Sequence, residues 1–492
     1  MRNLYTLFLS VMAILSTYSL NSPHATATSI ANEEPYTFTT WSKQSAEGYS
    51  GFFEVTEDRS IKESRKIPIH YVRFPAIGEK TAPPIIYLAG GPGGSGIMTV
   101  NFRFDMFMAL RRYGDVIALD QRGTGLSNDL PNCESQQTVP PLKAISDSEY
   151  IRYHQEALKE CLTIWQERNV NLSAYNTKEN ALDLDDLRKH LGAKEIVLWG
   201  TSYGSHLALA AVKEIESSID KLILSSAEGL EQTIKLPART EEYWDRLQQA
   251  INQQAAARAA YPDIKALIRR VHAKLDKQPM KIKITQHDSH ELDYLLQRRD
   301  MQQIASAFIA DPKSTAHLLE FYRTLDLGEA PAFDKVPKRY FPDGFLHPGV
   351  AISLRPMATA MDIASGIDNQ RKLEVKEQSK TALLKDYLNF SFHYDGLAPE
   401  LDLGKDFRKK LISDIPVLLL SGTLDGRTYL ESQHEAISGF SNTTKVTVEN
   451  AGHNLFMASS EIQDTINLFM EGKPIEKTTI MVELPDMAPK KY

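Results

Sequence analysis

Ile196-Val197-Leu198-Trp199-Gly200-Thr201-Ser202-Tyr203-Gly204 is the stretch that decides the fold. Four apolar residues after a Lys-Glu pair make a short strand of the kind buried on both faces. The Ala- and Leu-rich residues 203–213 that follow read as a helix. Between them a serine stands with a glycine two positions away on either side. Glycines at those positions permit a sharp, strained strand-to-helix turn that lifts the serine hydroxyl above the sheet. The helix N-terminus adds its dipole and the Tyr203 N–H, both of which favour negative charge. The plain alternative is a serine in an ordinary turn, so the neighbouring chain decides.

Outward from this turn, short apolar strands alternate with helical segments. Residues 67–74, 84–89, 116–119, 196–199 and 221–225 read as strands, and 177–191 and 203–213 as helices. That pattern predicts an α/β fold with a mostly parallel central sheet covered on both faces. From 230 to 411 the character changes. Gln- and Ala-rich helical stretches dominate (241–260, 300–310), with one β-like piece at 280–285. Strands resume at 416–421 and 445–449, and a last helix lies near 461–470. The expected organisation is a core of 28–229 and 412–472 interrupted by a large, mainly helical inserted lid at 230–411. The tail 473–492 contains Pro and Lys and is expected to be loose.

A serine hydroxyl is a weak nucleophile until a base takes its proton. In a sheet with this turn, an acid and then a histidine follow, each just past a later strand. Leu424-Asp425-Gly426-Arg427 follows the strand VLLLSG, and Ala451-Gly452-His453-Asn454 follows KVTVEN. Asp425 would fix the imidazole tautomer and stabilise the imidazolium, while His453 would act as general base and then general acid. Ser202, Asp425 and His453 are therefore the expected catalytic residues. The turn Ala89-Gly90-Gly91-Pro92-Gly93-Gly94-Ser95-Gly96 lets backbone N–H groups approach a developing oxyanion, with Gly91 and Tyr203 as the expected donors.

The same glycines support a rival. Gly91, Gly93 and Gly96 satisfy GxGxxG, and Asp120 ends the next strand where a ribose-binding acid would sit. Pro92 inside the turn and the complete set of serine, acid and histidine argue against a dinucleotide-dependent oxidoreductase. No cofactor or metal is expected. His434-Glu435 and His290-Glu291 each lack a second histidine four residues on, and no Walker-type lysine follows the glycine turn.

The chain has 492 residues, 42% hydrophobic and 24% charged, with 26 Gly and 24 Pro. This is ordinary globular usage. A net charge of −7 without a basic run excludes nucleic acid as the expected partner. Arg2, an apolar run over 4–15 and Ala25-Thr26-Ala27 have the order of a secretory signal over 1–27. The run falls short of the ~20 residues a bilayer span needs. No later segment reads as a membrane helix, so the mature chain is expected to be exported, periplasmic or secreted. In that compartment Cys133 and Cys161 are expected to pair, with two buried thiols as the other possibility. Asn171, Asn389 and Asn442 open glycosylation sequons, relevant only in a eukaryotic host.

LAGGPGGSG (88–96), DVIALDQRGTGLS (115–127), GTSYGS (200–205), SGTLDGRT (421–428) and ENAGH (449–453) together resemble the α/β-hydrolase peptidases of the proline iminopeptidase and tripeptidyl aminopeptidase family. The resemblance runs from about Pro84 to Met470, with the inserted segment matched only loosely. It implies the same roles for Ser202, Asp425, His453, Gly91 and Tyr203, and a structural turn at Asp120, Arg122 and Gly123. Cytoplasmic proline iminopeptidases of the family carry a histidine before the glycine turn. Ala89 stands there in this chain, closer to the secreted tripeptidyl branch. The implied activity is that of a serine aminopeptidase on peptides with a free N-terminus, and an esterase or amidase with the same triad is the alternative. A hydrolase-like binding protein without turnover is a remote third. Such aminopeptidases need acidic groups for the substrate ammonium, which is costly to bury unpaired. Glu228, just past KLILSS, and Asp362, in MATAMDIASG, are the residues expected to supply them.

Overall fold

The computed structural model describes residues 30–127, 130–285, 291–341, 345 and 348–490. The signal-like stretch 1–27 and His290 lie outside the described residues. Fourteen strands follow in chain order among those described. They are β1 (Glu33–Thr39), β2 (Ser45–Thr56), β3 (Lys66–Phe74), β4 (Ile85–Leu88), β5 (Val116–Leu119), β6 (Cys133–Thr138) and β7 (Ile196–Thr201). Then come β8 (Ile219–Ser225), β9 (Met280–Thr285), β10 (Glu291–Leu296), β11 (Ala351–Leu354), β12 (Val417–Gly422), β13 (Thr443–Glu449) and β14 (Thr479–Met481). Ten of them form one sheet in the order β1-β2-β3-β5-β4-β7-β8-β12-β13-β14. Every pair from β5 to β14 is parallel, and β1, β2 and β3 extend the sheet antiparallel.

The apolar runs form strands because their alternate residues meet two different layers. Ile196 and Leu198 of β7 join Ile86 and Leu88 of β4 and Val417 and Leu419 of β12 in one core. The helices Thr177–His190 and Tyr203–Ile215 cover that face. Val197 and Trp199 point the other way, with Ile85, Tyr87, Leu418 and Leu420, against helices Gly96–Leu110 and Ser460–Met470. Trp199 packs against Tyr87, Phe107 and Phe456.

Between β8 and β12 the chain leaves the sheet for a mainly helical excursion. Helices Pro237–Asn252, Ile264–Lys277, Arg298–Phe308 and Pro312–Asp326 gather a separate core around Trp244, Phe308 and Tyr322. The β-like piece is one arm of a hairpin, β9 with β10. A second segment, from before this excursion, belongs with it. β6 pairs antiparallel with β11, and helix Asp147–Glu167, opened by a Ser146/Glu149 capping box, docks Asp147 on Arg298 at 2.5 Å. The Cys133–Cys161 disulfide joins β6 to that helix, linking cysteines 28 positions apart in sequence with Cα atoms 5.5 Å apart.

Two departures from the expected pattern follow from pairing that local sequence does not announce. Strands β1 and β2 precede the first strand expected at 67, and their exposed faces blur the apolar alternation. The tail, expected to be loose, instead adds β14 to the sheet edge beside β13. Its Met487 is fully buried in the core of the inserted helices, and Gln254 donates to the Pro485 carbonyl at 2.9 Å.

Candidate active site

Ser202 sits between β7 and helix Tyr203–Ile215 with φ 54° and ψ −129°. This is a conformation that non-glycine residues rarely hold. The flanking glycines explain how the surroundings tolerate it. A Cβ on Gly204 would lie 2.0 Å from the Leu88 carbonyl oxygen, and one on Gly200 would lie 2.5 Å from the Gly204 oxygen. The helix start can therefore press directly on the end of β4. Ser202 N–H donates to Ser225 O at 3.2 Å, which ties the turn to the end of β8.

The same end of β8 carries the histidine loop. Ser226 Oγ donates to the His453 carbonyl at 2.8 Å, so consecutive residues anchor Ser202 and His453. His453 Nδ1 donates to Asp425 Oδ2 at 3.0 Å and lies 3.1 Å from Oδ1. With the Nδ1–H engaged, Nε2 is the basic nitrogen. No hydrogen bond joins Ser202 Oγ to His453 among the described residues; such bonds often tighten only with substrate.

Asp425 is fully buried. Burial alone would raise its pKa, yet it is held below the usual carboxylate value by His453 and by hydrogen bonds from Thr428. Arg427 and Thr428 N–H donate to Oδ1 at 2.8 and 2.9 Å, and Thr428 Oγ1 donates to Oδ2 at 2.7 Å. Thr428 was not expected to matter. The Asp-Gly-Arg-Thr spacing, in which a carboxylate caps its own turn, was the signal for it.

The glycine turn lies over the serine, since a Cβ on Gly90 would stand 3.1 Å from Ser202 Cβ. Gly91 has φ 134°, and a side chain there would meet the Gly93 nitrogen at 2.7 Å. Tyr203 N–H opens its helix and has no intrahelical acceptor. Among the described residues no backbone bond outside helices and strands engages the Gly91 N–H. Asp120 accepts from Ser95 Oγ at 2.5 Å, Ile97 N–H at 3.1 Å and Leu126 N–H at 2.9 Å. Three protein donors already hold its carboxylate, which argues for a structural role over ribose binding. Arg122 is fully buried and bidentate on Asp183, with both bonds at 2.7 Å. Asp120 and Arg122 thus hold the turn together, and Gly123 lines a cavity of about 170 Å³ with Gly93, Leu130, Arg355 and Met357.

Glu228 and Asp362 come close enough that the charge of the first raises the pKa of the second. Their surroundings differ. Glu228 already holds Lys235 Nζ at 2.8 Å, and although burial opposes it, Lys235 keeps the carboxyl below its ordinary value. Asp362, on helix Pro356–Ser365, makes no hydrogen bond or ion pair among the described residues, and burial followed by Glu228 pushes it up to about 7. Its neighbour Met361 accepts from Tyr203 Oη at 2.6 Å, which docks this helix on the serine turn. Lys235 lies in the inserted segment, where no motif marked it.

Residues 83–332 match the model for the alpha/beta hydrolase fold, and residues 404–477 match the model described as TAP-like protein. The chain is 28% identical over 163 residues to the serine protease Hip1 of Mycobacterium tuberculosis, covering 32% of this chain and 31% of that protein. It is 29% identical over 149 residues to the tripeptidyl aminopeptidase of Streptomyces coelicolor, covering 29% of this chain and 28% of that one. The putative hydrolase YuaR of Escherichia coli is 25% identical over 176 residues, 35% of this chain and 33% of its own. The alignments thus span about a third of the relatives' length. A match that runs through half of the chain, across the strands that carry the serine turn, makes this protein a member of the α/β-hydrolase fold family.

Proposed function

We propose that the chain is an exported serine exopeptidase that releases N-terminal residues from peptides through an acyl-enzyme. The observation that carries this is the Asp425–His453 pair hung beside Ser202 on the end of β8. Ser202 Oγ attacks the carbonyl as His453 Nε2 takes its proton, and the oxyanion forms against the Gly91 and Tyr203 N–H groups. His453 then protonates the departing amine of the shortened peptide. Water, deprotonated by the same nitrogen, releases the N-terminal fragment. Protease and aminopeptidase relatives support peptides as substrates. The disulfide and the N-terminal pattern support export.

Asp362 is the carboxylate available for the substrate ammonium, because Glu228 is already neutralised by Lys235. That pairing also favours a second activity, ester or amide hydrolysis without a free-amine requirement. Matched fluorogenic amides with free and acetylated N-termini, beside a nitrophenyl ester, separate the two. Cleavage confined to free amines establishes the aminopeptidase; equal cleavage of blocked substrates makes the protein an esterase or amidase. Wild-type rates in Ser202→Ala would end both.

A further inference from the structure

Three consecutive residues of the inserted segment, Ile309-Ala310-Asp311, reach both loops of the acid–base pair. Gly426 N–H, next to Asp425, donates to the Ile309 carbonyl at 3.0 Å. His453 N–H itself donates to the Ala310 carbonyl at 2.8 Å. Asn454 donates twice to the Asp311 carboxylate, from Nδ2 to Oδ2 at 2.9 Å and from its backbone to Oδ1 at 3.3 Å. The fit is close. A Cβ on Gly426 would lie 2.4 Å from Ile309 O, and one on Gly452 would lie 2.5 Å from Asp311 Oδ1.

Asp311 precedes helix Pro312–Asp326 as its N-cap, where aspartate ordinarily turns its carboxylate onto the helix's own N–H groups. Here it makes no such bond. The helix start is instead secured by hydroxyls, with Ser314 donating to Asp311 O at 2.8 Å and Thr315 to the same oxygen at 3.1 Å. The carboxylate is thereby free to face the histidine loop. Burial raises its pKa, and the Asn454 bond and the nearby His453 act in the opposite direction.

We propose that Asp311 is a positioning residue for His453, and that the 309–311 turn clamps the acid and histidine loops at one mutual geometry. The inserted segment is then part of the catalytic apparatus as well as its cover. Because four hydrogen bonds fix it there, a movement that admits substrate is expected to hinge elsewhere. This inference rests on the triad assignment made above.

The test uses the full mature chain and a nitrophenyl ester, whose small size makes few demands on binding. Asn454 is exposed, so Asn454→Ala removes the partner of Asp311 without disturbing a core. Asn454→Ala and Asp311→Ala are each expected to lower kcat about tenfold to a hundredfold, the scale of small misplacements at a reacting centre. KM should stay within about twofold and the melting temperature should be little changed. The double variant should lose no more than the worse single one. The exchange Asp311→Asn with Asn454→Asp, which restores donor and acceptor in reversed order, should recover most of kcat. Unchanged kcat in a folded Asn454→Ala, or a rise in KM alone, overturns the proposal. A failure of the triad assignment looks different: wild-type Ser202 would resist a fluorophosphonate and Ser202→Ala would stay active.

Discussion

Asp425 is the residue on which the chemistry of this site balances. Its carboxylate has no water-facing surface, and it stays ionised because His453 and the Thr428 and Arg427 donors surround it. Asp425→Asn keeps the shape but favours the wrong imidazole tautomer. It should lower kcat by about 10⁴, a magnitude taken from the chymotrypsin-type triad, with KM nearly unchanged in steady-state assays. Asp362 behaves in the opposite way. Its folded-state value of about 7 lies above the ordinary 3.8, so the unfolded chain loses that proton first. Its contribution to stability therefore declines as pH rises from about 4 to 7 and is fully unfavourable above that. Asp362→Asn should raise the melting temperature at pH 8 and leave it unchanged at pH 4, as scanning calorimetry at the two pH values would show. Ser202, Asp425 and His453 were legible because strand ends and glycines mark their places. Lys235 and Asp311 were not, since each works through a partner more than a hundred residues away or through a side chain without a motif.

At the scale of elements, the buried parallel strands were the easiest to foresee. A strand such as Val417–Gly422, apolar on both faces, has few other ways to satisfy its sequence. Strands β1 and β2 were not foreseen, because antiparallel pairing at an edge leaves residues such as Tyr36 in solvent. The β6–β11 pair shows a further limit. Its partners lie more than two hundred residues apart, β6 carries no apolar run, and β11 is only four residues long. The disulfide staples this pair's support, helix Asp147–Glu167, to β6. Replacing both cysteines by serine should cost about 3.5 kcal/mol through the freed unfolded chain, read from denaturant titration. The esterase rate per folded molecule should change little, since the bridge ties β6 to helix Asp147–Glu167 and not to the serine turn.

For the whole molecule, the boundary between sheet and inserted helices is crossed by many bonds. Arg246 donates to the Thr423 carbonyl at 2.9 Å, Tyr429 Oη meets Thr240 at 2.6 Å, and Leu424 and Tyr429 belong to the helical core. The tail binds both bodies, one strand on the sheet and Met487 in the helices. Ending the chain after Glu476 should therefore lower the melting temperature and increase binding of a hydrophobic dye. A tail that only fluttered would change neither.

That strap also sets an order of events during synthesis. β8 waits for β12 to complete its parallel ladder, β13 waits for β14, and the helical core waits for Met487. The ribosome delivers these pieces only after long stretches of apolar strand have already emerged. Parallel pairing across such separations closes slowly, because loop entropy is lost before the contacts form. Nascent chains of this protein should accordingly spend an appreciable time with Ile219–Ser225 and its neighbours uncovered, a form that chaperones hold and proteases cut.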